Sequence, residues 1–212
     1  MLDNPLQKNY FHLMKPPPEV LALKHLKQVI FSTVAFSSEE WEDFAQHWEL
    51  VTYPKNTYLT KPGQTEHYLY FVEDGVQRGF HLVDGEEICV AFSFDHSYSG
   101  VVDSFITQTP AKYYLETISD SVLLRLSHED LQQLFEQYKV VERWGRLLAE
   151  QILVGKANRE VAILSYTAEE RYRRLMTQSP RCIQLIPQKY LASYLRMTPE
   201  TFSRLRRKVK DL

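Results

Sequence analysis

Hydrophobic positions along the chain change their period twice, and the three resulting stretches predict three kinds of structure. Behind the Pro16-Pro17-Pro18 spacer lies an apolar segment, and then Ser37 with Glu40 three residues on. That pair reads as a capping box, in which the hydroxyl accepts from the N3 backbone N–H while the N3 carboxylate accepts from the N-cap N–H. The spacing predicts a short helix carrying Trp41, Phe44 and Trp48 and ending near Thr52. From there to about Leu126, short runs rich in Tyr, Phe, Val and Ile are separated by Pro62-Gly63, Asp74-Gly75 and Asp84-Gly85. The two Asp-Gly pairs suit hairpins, because glycine tolerates the positive φ of a tight connection. Ile88, Val90, Phe92 and Phe94 alternate with Cys89, Ala91 and Ser93, which predicts one apolar strand face and one small or polar face. Several short strands at this spacing predict an antiparallel barrel or sandwich.

The third stretch is helical. Ser127, with Asp130 three residues later, is an N-cap for a helix predicted to run through Leu153. Leu131, Leu134, Tyr138, Val141, Gly145, Leu148 and Ile152 recur alternately three and four residues apart, and Trp144 and Leu147 widen the seam. A seam this wide can face both its own barrel and a symmetry mate, so Leu134, Tyr138, Val141, Trp144, Gly145, Leu148 and Ile152 are read as a dimer helix. A helix packed only on its own domain is the alternative. Gly145 costs roughly 1 kcal/mol against Ala in a helix interior, which points to the close approach of another backbone there. Gly155 and Asn158 predict a break, and Thr167 with Glu170 forms another capping box, opening a helix that stops before Pro180.

The last segment, LIPQKYLASYLRMTPETFSRLRRKVKDL, reads as two short helices joined by a tight turn. Pro187 suits the first turn of a helix whose apolar side is Tyr190, Leu191, Tyr194 and Leu195, while Thr198 caps a second helix with Pro199 at its first position. Phe202, Leu205 and Val209 share one face of that second helix and must pack inward. The opposite face presents Glu200, Thr201, Ser203, Arg204, Arg207 and Lys208, the short polar and long basic side chains that base edges and phosphates require. Arg204 has the reach for guanine, Glu200 can accept from a cytosine amine, and Gln188 in the preceding helix joins Thr198 and Pro199 in the predicted DNA-binding set.

Charge sharpens this reading. From Arg181 onward eight basic residues face two acidic ones, a net of +6 that leaves −8 on the remainder of a chain whose total is −2. A basic end on an acidic body suits attraction to phosphate with limited nonspecific sticking. Composition adds less: 212 residues with 44% apolar and 25% charged content are ordinary for a soluble globular protein. The first residues lack an apolar signal core behind a basic end, and no run suits a membrane helix, so a cytoplasmic protein without membrane association is expected. Cys89 and Cys182 are too few for an iron-sulfur cluster or a structural zinc site.

These motifs together resemble the Crp/Fnr family of bacterial regulators, from about Ala22 to the end. The resemblance is most specific at TPETFSRLRRK, where Glu200, Thr201 and Arg204 fall on the family's recognition-helix pattern, and at the Asp-Gly hairpins, where Gly75 and Gly85 fall on β-roll turns. It implies an α+β fold with an antiparallel β-roll (jelly-roll) sensor over residues 1–127, a dimerisation helix over 128–158 and a helix-turn-helix domain over 159–212. The implied function is sequence-specific DNA binding and transcription regulation as a homodimer on a pseudo-palindromic operator, with RNA polymerase as a further partner. The chain departs from the pattern at Pro199, where relatives commonly have Arg, and at Arg196, where they usually have Gly in the interhelical turn. The β-hairpin wing is expected to be truncated.

Cyclic-nucleotide-binding relatives carry a cassette with a Glu for the ribose and an Arg for the phosphate. Here the aligned stretch is GVVDSFITQTPAKYYLET, with Val102 at the Glu position, Ala111 at the Arg position and Lys112 one residue beyond, on the opposite strand face. Burying a phosphate without a cation is unfavourable, so a regulator independent of cyclic AMP is expected. Tyr98, Gly100, Val102, Phe105, Ala111, Lys112 and Tyr113 are the candidates for a pocket holding some other small effector, with simple core packing as the competing reading for the aromatic members. No His-x-His with a following Glu and no His-Glu-x-x-His occurs, and His67, His81 and His96 are read as surface or strand residues, so neither metal nor cofactor is expected. No catalytic motif is present, which argues against an enzyme. The rival reading is a module binding a cyclic nucleotide or another small ligand and acting through a protein partner.

Overall fold

A computed structural model describes residues 17–210, apart from the side chains of Val209 and Lys210. The expectations for the N-terminal start and for Val209 as an inward position therefore lie outside the described residues. In chain order the elements are α1 (Pro18–Phe31), α2 (Ser38–Gln46), β1 (Glu49–Tyr53), β2 (Tyr58–Thr60), β3 (Tyr68–Asp74), β4 (Val76–Val83), β5 (Glu86–Phe94) and β6 (Tyr98–Ser99). Then follow α3 (Val102–Thr107), β7 (Tyr114–Thr117), β8 (Ser121–Ser127), α4 (His128–Gln137), α5 (Lys139–Ser165), α6 (Ala168–Gln178), α7 (Cys182–Leu185), α8 (Gln188–Tyr194) and α9 (Pro199–Lys210).

Two four-stranded antiparallel sheets, in the orders β1-β8-β3-β6 and β2-β7-β4-β5, form the β-roll. Asp84 and Gly85 both take positive φ (52° and 83°) in the β4–β5 hairpin, as its turn requires. Asp74-Gly75 does not close the expected hairpin: β3 and β4 lie in different sheets and do not pair, and Gly75 passes the chain from one sheet to the other. At φ 103°, a Cβ there would lie 2.6 Å from the Asp120 carbonyl oxygen and 2.8 Å from Ser121 Cα.

The capping boxes form as predicted at Ser37 with Glu40 and at Thr167 with Glu170, and α6 stops before Pro180. The helix opened by Ser37 is shorter than expected. It ends at Gln46, because residues from Glu49 pair with β8 and place Leu50 opposite Leu124. In β5 the expected alternation also fails: a bulge at Val90, between the pairs Gly79–Ala91 and Phe80–Cys89, shifts the register, and Cys89 is fully buried. α8 packs on this strand, and from Ile88 onward its residues are buried or half-buried on both faces.

The long helix differs most from expectation. The chain breaks at Tyr138 (φ −128°, ψ 112°), so α4 and α5 are separate and the predicted seam is split. Leu131, Leu134, Val141 and Trp144 are buried in the core that α1, α2, β3 and β8 build, and so they are spent within the chain. Gly145 is explained by α4: a Cβ there would run into the Phe135 ring, a side chain and not another backbone. No break occurs at Gly155 or Asn158, and α5 continues to Ser165. This extension exposes Leu153, Val154, Val161 and Leu164. Val154, Ala157, Val161 and Leu164 are exposed and recur at three, four and three residues, a stripe that begins where the predicted seam ends.

Candidate nucleic-acid interface

The two-helix motif is built as its sequence dictates. Pro187 precedes α8, whose Leu191 and Ala192 are fully buried, and the turn passes through Arg196 in the left-handed conformation at φ 55°. Arg196 thus does what glycine does more cheaply. Arg171 of α6 holds that turn, with Nε donating to the Leu195 carbonyl oxygen at 2.8 Å and a terminal nitrogen donating to that of Arg196 at 3.3 Å. Thr198 Oγ1 accepts from the Thr201 N–H at 3.2 Å, the N-cap bond that fixes the start of α9. Phe202 and Leu205 are buried, with Tyr172 of α6 set edge-on against Phe202 at 5.3 Å.

Burial on one side of α9 leaves the other side open. Gln188, Thr198, Pro199, Glu200, Arg204, Arg207 and Lys208 are exposed, and Thr201 and Ser203 are half-exposed. Among the described residues no carboxylate pairs with Arg204 or Arg207, whereas Lys208 Nζ lies 2.7 Å from Glu169 of α6. The hydrogen bonds from Lys208 and then Arg173 hold the Glu169 carboxyl below its usual range. Lys208 is therefore engaged within the chain, a partner that no local pattern in α9 could reveal. Among the described residues no strand follows β8.

The motif is seated on the β-roll. Ser193 Oγ of α8 donates to the Glu87 carbonyl oxygen and accepts from the Cys89 N–H, both at 2.9 Å. Arg78 of β4 lies between the rings of Phe80 and Tyr190, 4.1 and 4.0 Å from their centroids. Its guanidinium donates to both carboxylate oxygens of Glu87 at 2.6 and 3.0 Å, and through Nε to Glu116 at 2.7 Å. Burial alone would lower the Arg78 pKa; the bonds to Glu87 and Glu116 outweigh it and raise the value. Reciprocally, the Arg78 bond holds the Glu87 carboxyl below its usual range. The contacts of Ser193 and Tyr190 with the roll are not visible in sequence, because they join residues about a hundred positions apart.

The seven pocket candidates are not gathered around one cavity. Gly100, Val102 and Phe105 line an apolar groove of about 620 Å³ with Leu131, Phe135 and Leu148. Tyr98 instead packs against Phe71 and Trp144, and Lys112 is exposed. Ala111 and Tyr113 belong to the roll interior with Tyr70, Val72, Val101, Leu115 and Leu123. Ala111 is buried, its N–H donating to the Gln64 carbonyl oxygen at 2.8 Å. Beside the cassette lies Glu66, 1% exposed, which accepts from Thr60 Oγ1 at 2.5 Å and from the N–H groups of Tyr68 and Val101. Burial pushes its pKa up against these bonds. Arg125, over the Tyr68 ring at 4.4 Å, is paired with Glu49.

Comparison with known proteins places this geometry. Residues 50–138 match the family model of the cyclic nucleotide-binding domain. No curated protein matches the chain. Among solved structures, FixK2 from Bradyrhizobium japonicum has a TM-score of 0.70 at 18% identity, covering 77% of this chain and 85% of its own. CLP of Xanthomonas campestris, described as a c-di-GMP-responsive global regulator, has 0.60 at 20% identity, covering 82% and 92%. Thermus thermophilus catabolite activator protein has 0.54 at 22% identity, covering 86% and 87%. Residues 50–138 are thus similar to the cyclic nucleotide-binding domain, and the chain has the α+β fold of the Crp/Fnr regulators.

Proposed function

We propose that this protein is a sequence-specific DNA-binding transcriptional regulator that acts as a homodimer in the cytoplasm and does not depend on cyclic AMP. The observation that carries the reading is the open face of α9, where Glu200, Arg204 and Arg207 stand exposed on a helix capped by Thr198 and anchored by Phe202. Such a helix enters a major groove with short residues near base edges and arginines reaching guanine or phosphate. In domain terms, residues 1–127 form the sensor, 128–158 the start of the dimer helix and 159–212 the DNA-binding unit. The exposed seam from Val154 to Leu164 supports pairing of two α5 helices, which would set two recognition helices roughly 34 Å apart, over a pseudo-palindrome. RNA polymerase is the further partner that regulation calls for.

Independence from cyclic AMP is supported by Ala111 at the phosphate position, with the buried Glu66 carboxyl beside the cassette. Selection of bound sequences from a random duplex pool, at fixed moderate salt, tests the DNA reading. It should enrich a two-fold-symmetric motif, and an unenriched pool would defeat the proposal. Calorimetric titration with cyclic AMP and cyclic GMP tests the second part, and micromolar binding of either would overturn it.

A further inference from the structure

Three residues that the regulator reading leaves unused meet at the junction of α1 with the β-roll. His25 lies on α1, Glu73 near the end of β3, and His96 in the turn from β5 to β6. His25 Nδ1 is 2.8 and 2.9 Å from the two Glu73 carboxylate oxygens, and His96 Nε2 is 4.0 Å from Glu73 Oε2. One ligand atom from each residue can be chosen so that all three lie within 4.8 Å of one another.

An ordinary hydrogen bond accounts for His25 with Glu73. It does not account for His96. That residue holds a left-handed backbone at φ 62° in the β5–β6 turn and brings its ring to 4.4 Å from His25 and parallel to Phe71. Glu73 is 12% exposed, and among the described residues neither Lys nor Arg pairs with it. A mostly buried carboxylate facing two imidazoles, with one ligand atom of each within 4.8 Å of the others, is a donor set that a single cation would satisfy.

We infer that His25, Glu73 and His96 form a binding site for one divalent first-row transition-metal ion of the zinc class. Bonds of about 2.0–2.2 Å in tetrahedral or octahedral geometry put ligand atoms roughly 3–3.5 Å apart, so the present spacings need only small side-chain rotations. His25 binds as the neutral ring with its proton on Nε2, freeing the Nδ1 lone pair, and His96 binds through Nε2. Two imidazoles with one carboxylate select Zn²⁺, Co²⁺ or Ni²⁺ over Mg²⁺ and Ca²⁺, which prefer oxygen. Three protein ligands, with His96 45% exposed, leave a position for water. The ion would brace α1 on the roll. It would also sit beside Asp95, whose carboxylate pairs with Arg181 of the C-terminal region at 2.7 Å.

The full chain, stripped with chelator, is titrated with Zn²⁺ by calorimetry and with Co²⁺ by visible absorption, in the absence of DNA. One Zn²⁺ per chain at micromolar affinity or tighter is expected, with Co²⁺ ligand-field bands that Zn²⁺ displaces and no competition from millimolar Mg²⁺. His25→Gln and His96→Gly should each weaken Zn²⁺ at least tenfold. His96→Gly relieves the positive φ, so its folding is secured while the ligand is removed. Absence of binding below millimolar Zn²⁺, or binding unchanged in both variants, would overturn the assignment. Because the readout needs no DNA, a failed operator selection would leave it untouched.

Discussion

At the scale of single residues, the basic side chains on the exposed face of α9 differ: among the described residues Arg204 and Arg207 have no carboxylate partner, whereas Lys208 is paired with Glu169. Arg204→Ala should cost about 1 to 3 kcal/mol in operator binding and relax specificity at one base pair per half-site. Arg207→Ala should weaken all sequences alike and lower the salt slope by about 1, whereas Lys208→Ala, already tied to Glu169, should change that slope less. Binding measured across a series of salt concentrations and single-base operator variants checks all three, and a Lys208 effect exceeding that of Arg207 would contradict the pairing. These outward positions were legible in sequence because the helical period sorts them from Phe202 and Leu205. The Lys208–Glu169 pair was not, since it depends on how α6 lies beside α9. Gly75 carries a different prediction. A Cβ there strikes backbone at positive φ, so Gly75→Ala should destabilise the chain by about 2 kcal/mol or more, whereas Gly85→Ala, which meets nothing within 4 Å, should show only its backbone strain. Equal melting temperatures for the two variants would contradict the steric argument.

Elements show where local pattern is enough and where packing overrides it. The capping boxes, the Asp84-Gly85 hairpin and the two-helix motif are fixed by residues a few positions apart, and each was readable; that Asp74-Gly75 passes the chain between sheets was not. The α4–α5 break at Tyr138 was not, because the seam continues through it at proper spacing while the roll draws Leu131 and Leu134 inward. Likewise Cys89 is buried because α8 covers β5, a contact between distant stretches of chain. Arg78 stacks on Tyr190 of α8 at the same junction. Arg78→Ala would strand the buried Glu116 carboxylate, and breaking such a pair costs roughly 3 to 5 kcal/mol. Glu87 adds a pH signature. Its folded pKa lies below the unfolded value, so its stabilisation is full above about pH 4.3 and is lost as pH falls through the folded value. Urea denaturation should therefore show a gap between the parent protein and Glu87→Gln at neutral pH that closes in acid. A gap independent of pH would contradict the Arg78 bond as its source.

For the whole molecule, the question is what the two halves do together. Gly155 and Asn158 read as a break while α5 runs through them to Ser165, so the exposed apolar positions beyond Leu153 went unread in sequence. With Leu164 77% exposed at the end of the unpartnered seam, Leu164→Asp should yield monomers in analytical ultracentrifugation and reduce operator affinity. A full-strength dimer would move the interface elsewhere. The pocket residues were the least legible part, since aromatic side chains that fill a small roll and those that line a cavity look alike in sequence. The most direct test of the central claim is the affinity of the intact protein for its selected palindrome relative to a scrambled duplex at one salt concentration. A preference of about a thousandfold or more, lost in large part on Arg204→Ala, is the predicted result; equal affinity for the two duplexes would contradict the account.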